Sequence, residues 1–564
     1  MEALDWLVIG VFFLALIGII VWVVRQKQND SADYFLGGRD ATWLAIGASI
    51  FASNIGSEHL IGLAGAGASS GMAMAHWEIQ GWMILILGWV FVPFYSRSMV
   101  YTMPEFLERR YNPQSRTILS VISLVSYVLT KVAVTVYAGG LVFQQVFGIK
   151  ELWGIDFFWI AAIGLVVLTA LYTIFGGMKS VLYTSVLQTP ILLLGSLIIL
   201  VLGFKELGGW DEMMRVCGAV TVNDYGDTMT NLIRSNDDAN FPWLGALIGS
   251  AIIGFWYWCT DQFIVQRVLS GKNEKEARRG TIFGAYLKLL PVFLFLIPGM
   301  IAFALHQKYI GAGGEGFLPM LANGTANADA AFPTLVAKLL PAGVKGLVVC
   351  GILAALMSSL ASLFNSSAML FTIDFYKRFR PETPEKKLVG IGQIATVVIV
   401  ILGILWIPIM RSVGDVLYTY VQDVQSVLAP GIAAAFLLGI CWKRTSAQGG
   451  MWGLIAGMII GLTRLGAKVY YSNAGEVADS TFKYLFYDMN WLFFCGWMFL
   501  FCIIVVIVVS LATEAPTAEK IQGLVFGTAT KEQKAATRAS WDHWDIIHTV
   551  IILAITGAFY WYFW

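Results

Sequence analysis

Apolar stretches of about 20 residues recur along almost the whole chain and are separated by short polar segments. A helix that crosses the hydrocarbon of a bilayer needs about 20 mostly apolar residues. The pattern therefore predicts an all-α integral membrane protein with about 14 transmembrane helices. These are expected at 5–24, 42–70, 73–96, 117–147, 156–176, 180–203, 242–269, 277–306, 333–373, 388–410, 413–440, 448–470, 488–511 and 545–564.

Composition supports a membrane environment and excludes several other classes of protein. Of 564 residues, 58% are hydrophobic and 13% are charged, about half the charged fraction of an average soluble domain. The net charge is +1 with no basic block, so a nucleic-acid partner is not expected. The six cysteines show no CxxC or Cys/His spacing, which argues against a disulfide framework and a zinc site.

The distribution of Lys and Arg predicts the orientation of the chain. The apolar stretch Leu7 to Val24 has no basic segment before it and no small-residue cleavage site after it, so it is expected to remain as a membrane helix. Most of the 37 Lys and Arg residues fall in the loops on one side of the predicted spans. Because positive loops stay inside, both termini are expected outside, in the plasma membrane or in the inner membrane of a bacterium.

Two predicted spans carry polar, Gly-rich interruptions. The first runs from Ser49 to His59 and the second from Gly254 to Gln262. Unpaired backbone in hydrocarbon must line a cavity or be enclosed by protein. Broken helices at corresponding places in two five-helix halves are typical of transporters with inverted repeats, although channels also contain broken helices.

Ionisable residues inside spans are costly and indicate function by default. Lys131 and Asp261 are interpreted as a structural pair that fixes helix register, whereas Glu78 and Lys288 have neutral polar neighbours and favour a binding role. The remaining ionisable residues in spans are Glu58, His59, His76 and Asp423.

The polar residues near the interruptions constrain the ligand. Asn54, His59, Glu78, Lys288 and Gln422 offer a mixture of hydrogen-bond donors and acceptors, as the hydroxyls of a neutral polyhydroxylated ring require. The aromatic residues Trp77, Tyr257 and Trp258 add flat faces that could pack on such a ring, although aromatic residues in membrane helices more often serve packing.

A candidate ion site lies within 333–373. Sodium needs five or six oxygen ligands, which hydroxyls and the carbonyls of an unwound helix can supply. The run Ala354 to Ser362 provides paired serines among small residues. Spacing alone leaves open whether these serines bind an ion or allow close helix packing.

Several motifs resemble the sodium/solute symporter family, and within it the sodium/glucose cotransporter branch. The resemblance covers residue 33 to the end. The motifs are DYFLGGR at 33–39, GAS at 47–49 with ASNIGS at 52–57, GWVFVP at 88–93, YTIFGG at 172–177, WYWCTDQ at 256–262 with VQR at 265–267, MSSLAS at 357–362 with FNS at 364–366, and FLLGICWKR at 436–444.

The resemblance implies a LeuT-type fold built as a five-plus-five inverted repeat with one extra helix before it and three after it. Four regions are expected: 1–30 for the extra amino-terminal helix, 42–203 for the first repeat with a break near 52–59, 242–440 for the second repeat with a break near 254–262, and 448–564 for the last three helices.

The resemblance also assigns roles to residues. It places the hydrogen-bonding groups of a sugar site at Asn54, His59, Glu78, Lys288 and Gln422, an aromatic wall at Trp258 and an inner gate at Tyr257. It places a sodium ion at the carbonyls of Ala52, Ile55 and Ala355 and the hydroxyls of Ser358 and Ser359.

The expected function is sodium-coupled import of a glucose- or galactose-type monosaccharide by alternating access, with no organic cofactor and no enzymatic activity. Members with a second sodium have Asp where this chain has Ser185 and a hydroxyl residue where it has Ala361, so one sodium per sugar is expected. The alternatives are a sodium symporter for inositol, a sialic acid or a carboxylate, and a sodium-independent sugar channel.

Overall fold

The computed structural model describes the backbone of the 564-residue chain except residues 27–29, 57, 322–323, 412–416 and 474–477. The side chains of residues 128–130, 141, 145, 406–411, 417–421, 423 and 472–473 are also outside the described part. The description below refers to the remainder, which is mostly helical because helices satisfy their own backbone hydrogen bonds in lipid.

The first quarter of the chain consists of short and long helices joined by π-helical and 3₁₀ turns. The α-helices are α1 (Ala3–Val24), α2 (Ser31–Leu36), α3 (Trp43–Asn54), α4 (Ala64–Ser69), α5 (Ala75–Glu78), α6 (Gly81–Ile86), α7 (Val92–Ser98), α8 (Met103–Arg110), α9 (Pro113–Ser126) and α10 (Ala133–Phe147). The π-helical segments are Glu58–Leu63, Leu87–Phe91 and Tyr127–Val132, and the 3₁₀ segments are Gly37–Arg39 and Gly71–Met74.

The first broken helix is α3. It ends at Asn54, and Ile55 adopts an extended conformation with φ −80° and ψ 106°. The chain becomes helical again at Glu58 as a π-helix and continues into α4. The break therefore lies within the polar stretch of the sequence, and it leaves the last carbonyls of α3 without the usual intrahelical partners.

The next part contains a small hairpin and one very long helix. Strands β1 (Glu151–Leu152) and β2 (Ile155–Asp156) pair antiparallel before α11 (Phe157–Leu207) and α12 (Trp210–Gly218). The helix α11 has 51 residues, but Gly177 interrupts it with φ 54° and ψ −151°. A side chain there would collide with the carbonyl oxygen of Tyr34. Two of the predicted spans, 156–176 and 180–203, thus correspond to the two arms of one bent helix.

The second broken helix joins α13 (Trp243–Gly254) to α14 (Gln262–Leu269) through a π-helix at Phe255–Thr260. Asp261 is extended, with φ −76° and ψ 128°, and acts as the N-cap of α14. Its carboxylate accepts a hydrogen bond from the backbone of Phe263 at 3.2 Å. Such a cap satisfies one of the donors that the interruption exposes.

The remaining helices complete the bundle. They are α15 (Glu274–Lys288), α16 (Ile297–Gly311), α17 (Ala331–Leu339), α18 (Val344–Met369), α19 (Lys377–Phe379), α20 (Glu385–Arg411), α21 (Leu417–Cys441), α22 (Ala447–Asn473), α23 (Thr481–Lys483), α24 (Trp491–Ala512), α25 (Ala518–Ile521), α26 (Lys531–Ala539) and α27 (His543–Tyr562). Further π-helical segments are Val292–Leu296, Leu370–Tyr376 and Tyr484–Asp488, and a 3₁₀ segment spans Ala328–Ala330.

One predicted span is wrong as a continuous helix. The range 333–373 contains α17 and α18, which are separate helices. Pro341 biases Leu340 toward the extended conformation that it adopts, with φ −91° and ψ 129°. Gly343 then takes a positive φ of 81°, and α18 begins after it.

Within the described residues, eleven helical segments are long and apolar enough to cross a membrane. The prediction of fourteen spans is therefore not confirmed as a count, although the all-α membrane architecture is. At the centre of the bundle α11 packs along α18, and α3 packs along α15. This packing encloses the two breaks within protein.

Candidate functional site

A cavity lies between the two broken helices. All seven residues that the sequence assigns to sugar binding line it: Asn54, His59, Glu78, Tyr257, Trp258, Lys288 and Gln422. Further residues of the wall are Glu58, Trp77, Gln80, Ile253, Gly254 and Gln425. Residues from both breaks, α5, α15 and α21 thus meet at one place, although they are separated by hundreds of positions in sequence.

Glu78 is the centre of the polar contacts in this cavity. The ammonium of Lys288 donates to Glu78 Oε2 at 2.6 Å, and His59 Nε2 lies 3.2 Å from the same oxygen. All three side chains are at least 95% buried. Buried charges are tolerated when they are paired and hydrogen-bonded, so the Glu78–Lys288 pair is neutral as a unit.

The contact to Glu78 selects the tautomer of a neutral His59 ring. Because the carboxylate accepts, Nε2 of His59 carries the proton in that tautomer, and Nδ1 is an acceptor. Nδ2 of Asn54 lies 3.3 Å from Nε2 of His59. Two N–H donors cannot bond to each other, so this contact is satisfied when the amide oxygen of Asn54 is turned toward the ring.

Three buried polar atoms in the cavity wall have no hydrogen-bond partner among the described residues. They are Nδ1 of His59, Nε1 of Trp77 and Oε1 of Gln422. Leaving such groups unsatisfied costs about 1–3 kcal/mol each. One donor and two acceptors are consequently available to a ligand whose groups can both donate and accept.

Two aromatic rings form the side of the cavity that belongs to the second break. Tyr257 and Trp258 pack edge to face, with ring centroids 4.9 Å apart and planes at 88°. The ammonium of Lys288 lies 5.3 Å from the centre of the Trp258 ring. The ammonium of Lys131 lies 4.6 Å from the centre of the Tyr257 ring. Both rings are therefore held by cations as well as by packing.

The expected pair of Lys131 and Asp261 is present in the structure. Lys131 Nζ donates to Asp261 Oδ2 at 2.8 Å, and the hydroxyl of Tyr127 donates to Asp261 Oδ1. The same Tyr127 oxygen accepts from the backbone N–H of Phe263 at 3.1 Å. Side chains of the protein itself thus satisfy the polar groups at the second break.

The residues assigned to sodium are only partly brought together. The hydroxyl of Ser359 lies 2.9 Å from Ser53 O and 3.1 Å from Ile55 O, which connects α18 to the first break. Ser358 instead has its hydroxyl 3.3 Å from that of Ser185. Ala52 and Ala355 are buried on the same two helices at 1% exposure each.

Ser185 and Ala361, the two positions at which the resemblance leads us to expect no second sodium ion, carry no charge. Ser185 donates its hydroxyl to the carbonyl of Val181 at 2.6 Å, and Ala361 is fully buried and offers only a methyl group. Neither residue supplies a negative ligand for a second cation.

Sequence reasoning missed two amide side chains in the cavity, Gln80 and Gln425. Gln80 follows Glu78 by two residues and donates to the carbonyl of Ser250 at 2.8 Å. Gln425 follows Gln422 by three residues, so the two share one face of α21. Helical spacing from Gln422 could have identified Gln425, whereas Gln80 lies just beyond the end of α5 and had no such signal.

Comparison with known proteins assigns the family. The family model of the sodium:solute symporter family matches residues 34–457. The chain belongs to the sodium:solute symporter family. The symporter is therefore a multi-pass membrane protein that couples solute movement to sodium, and it is a transporter rather than an enzyme.

Curated relatives are similar over nearly the whole chain. Sodium/myo-inositol cotransporter 2 of Mus musculus is 37% identical over 542 residues, which are 94% of this chain and 80% of the relative. Sodium/glucose cotransporter 4 of Danio rerio is 35% identical over 560 residues, which are 96% of this chain and 84% of the relative.

A solved structure supports the fold. The substrate-bound outward-open state of a Na⁺-coupled sialic acid symporter matches with a TM-score of 0.72 and 21% sequence identity, covering 92% of this chain and 99% of that chain. The LeuT-type membrane fold expected from the resemblance is therefore confirmed.

Proposed function

We propose that the symporter imports a neutral monosaccharide of the glucose or galactose type together with one sodium ion. The observation that supports this best is the set of three unsatisfied polar atoms in the cavity wall, His59 Nδ1, Trp77 Nε1 and Gln422 Oε1. The several hydroxyls of a sugar can each donate to one of the two acceptors, and one of their oxygens can accept from the indole N–H.

The rest of the wall is consistent with the same ligand. The Glu78–Lys288 pair is internally neutral, yet an ammonium has three N–H groups and a carboxylate has several acceptor positions. Both side chains can thus bind hydroxyls while their ion pair stays intact. Trp258 and Tyr257 supply the aromatic faces on which the C–H side of a sugar ring packs, and Tyr257 is proposed as the inner gate.

Sodium is proposed at the first break, with Ala52, Ile55 and Ala355 as carbonyl ligands and Ser358 and Ser359 as hydroxyl ligands. The contacts of Ser359 with Ser53 O and Ile55 O support this proposal because they join α18 to the loosened end of α3. An ion at this place could draw the two helices together. The neutral residues at 185 and 361 favour one sodium rather than two.

The proposed cycle is alternating access between two inverted repeats, 42–203 and 242–440, in the plasma membrane with both termini outside. Sodium binding at the first break stabilises an outward-open cavity, in which sugar then binds. The outer gate closes, the inner gate opens, and both solutes are released. One charge crossing about 100 mV supplies about 2.3 kcal/mol, and a tenfold sodium gradient supplies about 1.4 kcal/mol. Together they could sustain roughly 500-fold sugar accumulation.

A second candidate substrate is myo-inositol. Relatives named sodium/myo-inositol cotransporters, such as that of Mus musculus, favour it. Myo-inositol is also a neutral six-membered ring with hydroxyls, so the same donors and acceptors suit it.

The test is uptake of labelled glucose, galactose and myo-inositol into vesicles containing the purified symporter, with and without a sodium gradient. We expect sodium-dependent accumulation of the labelled compound and inhibition of its uptake by the other two. The charge moved per sugar transported should be near one. Sodium-independent equilibration would favour a channel, and a ratio near two would contradict the single sodium ion. Exclusive uptake of myo-inositol would replace the hexose proposal by the second candidate.

A further inference from the structure

Gln80 lies at a local interruption between α5 and α6, next to the proposed sugar site. The helix α5 ends at Glu78, and α6 begins at Gly81. Between them, Ile79 has φ −81° and ψ 20°, and Gln80 has φ −79° and ψ 23°. In an uninterrupted helix, side chains two residues apart do not share a face. The interruption thus allows both Glu78 and Gln80 to line the cavity.

The amide group of Gln80 has a fixed orientation. Its Nε2 donates to the backbone carbonyl of Ser250 on α13 at 2.8 Å, and this is the one hydrogen bond that the side chain forms among the described residues. Because a carbonyl oxygen can only accept, the nitrogen faces α13 and Oε1 occupies the other branch of the amide. The side chain is 3% exposed, so its surroundings restrict rotation of the amide.

The amide oxygen of Gln80 lies at the cavity wall beside Gly254. Gly254 itself lines the cavity, and a Cβ on it would collide with Oε1 of Gln80. The missing side chain of Gly254 thus leaves the space in which this oxygen lies. Since Oε1 accepts no hydrogen bond within the described part of the chain, its acceptor capacity remains available to a ligand.

We propose that Gln80 determines substrate specificity: its Oε1 accepts a hydrogen bond from one ring hydroxyl, and rings without that hydroxyl are rejected. This inference rests on the proposed transport of a polyhydroxylated ring. A ring that lacks the hydroxyl leaves the oxygen unpaired in an enclosed cavity. A site built to bind a hydroxyl discriminates strongly against the analogue that lacks it.

A purely structural role of Gln80 makes a different prediction. The contact with Ser250 joins the α5–α6 junction to α13, shortly before the second break. If this contact were the whole role of Gln80, removing the amide would affect the transport of every ring by the same factor. The affinity ratio between a ring and its deoxy analogue would stay unchanged, so this ratio separates the two roles.

The test is inhibition of labelled glucose uptake by unlabelled glucose and by analogues that each lack one hydroxyl, in vesicles at saturating sodium. In the unaltered protein we expect at least one analogue to bind about tenfold more weakly than glucose. In Q80L we expect glucose to weaken about tenfold and the penalty for one missing hydroxyl to fall below about threefold. The penalties at the other ring positions should stay the same. Myo-inositol and its deoxy analogues replace this panel if myo-inositol alone is transported.

A second variant, G254A, displaces the amide of Gln80 without removing it. Gly254 has helical φ −62° and ψ −40°, so the backbone accommodates alanine. The added methyl group would collide with Oε1 and lie 2.9 Å from Cδ of Gln80, which forces the side chain to shift. We expect the penalty at the same ring position to decrease as in Q80L.

The control is Q393L on α20, outside the cavity wall. Nε2 of Gln393 also donates to a backbone carbonyl, that of Ile174 at 3.1 Å, and its removal should leave every penalty unchanged. Unchanged penalties at all ring positions in Q80L, with uptake intact, would overturn the role of Gln80. If Q80L does not reach the membrane, unchanged penalties in G254A would overturn it equally. Absence of glucose, galactose and myo-inositol uptake in the unaltered protein would instead contradict the proposed function.

Discussion

The two broken helices interrupt the bundle in the same way but stabilise the interruption with different chemistry. At the first break, neutral groups meet: the hydroxyl of Ser359 lies 2.9 Å from Ser53 O and 3.1 Å from Ile55 O. At the second break, the ammonium of Lys131 lies 2.8 Å from the carboxylate of Asp261.

The difference shows which break can accept an external ion. A hydroxyl donates one proton at a time, so Ser359 satisfies the two carbonyls only in part. A cation could coordinate all three oxygens at once. At Asp261 a cation that belongs to the chain already occupies the equivalent role, so an external ion would have to displace a buried ammonium. The first break is thus suited to binding and releasing an external ion, whereas the second holds the ammonium of Lys131.

The largest expected effect comes from removing one partner of the second break. K131M or D261N leaves the other group buried without its partner, which costs about 3–5 kcal/mol. We expect the free energy of unfolding to fall by this amount, measured by thermal or chemical unfolding of the purified protein in detergent.

The double variant K131M/D261N provides the control for that prediction. Because Asn retains acceptor capacity for Tyr127 and for the backbone of Phe263, the neutral pair should recover most of the loss. Additive losses in the double variant would contradict a direct pairing of the two charges.

A smaller effect is expected at the first break. S359A removes a proposed sodium ligand and one hydrogen-bonding group, worth about 1–3 kcal/mol. We expect the sodium concentration for half-maximal uptake to rise about 10- to 100-fold, while the free energy of unfolding falls by about 1–3 kcal/mol, less than in K131M or D261N.

The matched control is S367A on the same helix, whose buried hydroxyl has no partner among the described residues. Its sodium dependence should stay unchanged. Equal shifts in the two variants, or none in S359A, would remove Ser359 from the ion site.

The smallest effect is expected from G56A. An added Cβ would lie 2.9 Å from the hydroxyl oxygen of Ser359, a group that can rotate away. We expect a rise of less than about tenfold in the sodium concentration for half-maximal uptake. G10A on α1, where nothing lies within 4 Å, is the control and should leave sodium dependence unchanged. A larger effect in G56A than in S359A would contradict this order of effects.

The positions of the interruptions could be predicted from the sequence because their signal is local. Polar and glycine residues inside an apolar span, such as those between Ser49 and His59, conflict with an unbroken helix in lipid. The seven residues proposed for the sugar site were named from their polar and aromatic character, and the family resemblance gave each its role, but nothing in local spacing connects Asn54 to Gln422.

Other features could not be predicted because they depend on contacts between distant segments. Ser358 was expected beside Ser359 in the ion site, yet its hydroxyl faces Ser185. The separation of α17 from α18 was missed because the four residues between them hardly change the average hydropathy of a 20-residue stretch. Gln80 entered the cavity wall through tertiary packing alone.

The covalent attachment of Lys131 has an electrical consequence. A tethered ammonium returns to its starting position after every turnover, so it moves no net charge from one aqueous compartment to the other. Steady current through the protein therefore counts only what dissociates, whereas brief displacement currents after a voltage step also record the movement of fixed charges across the field.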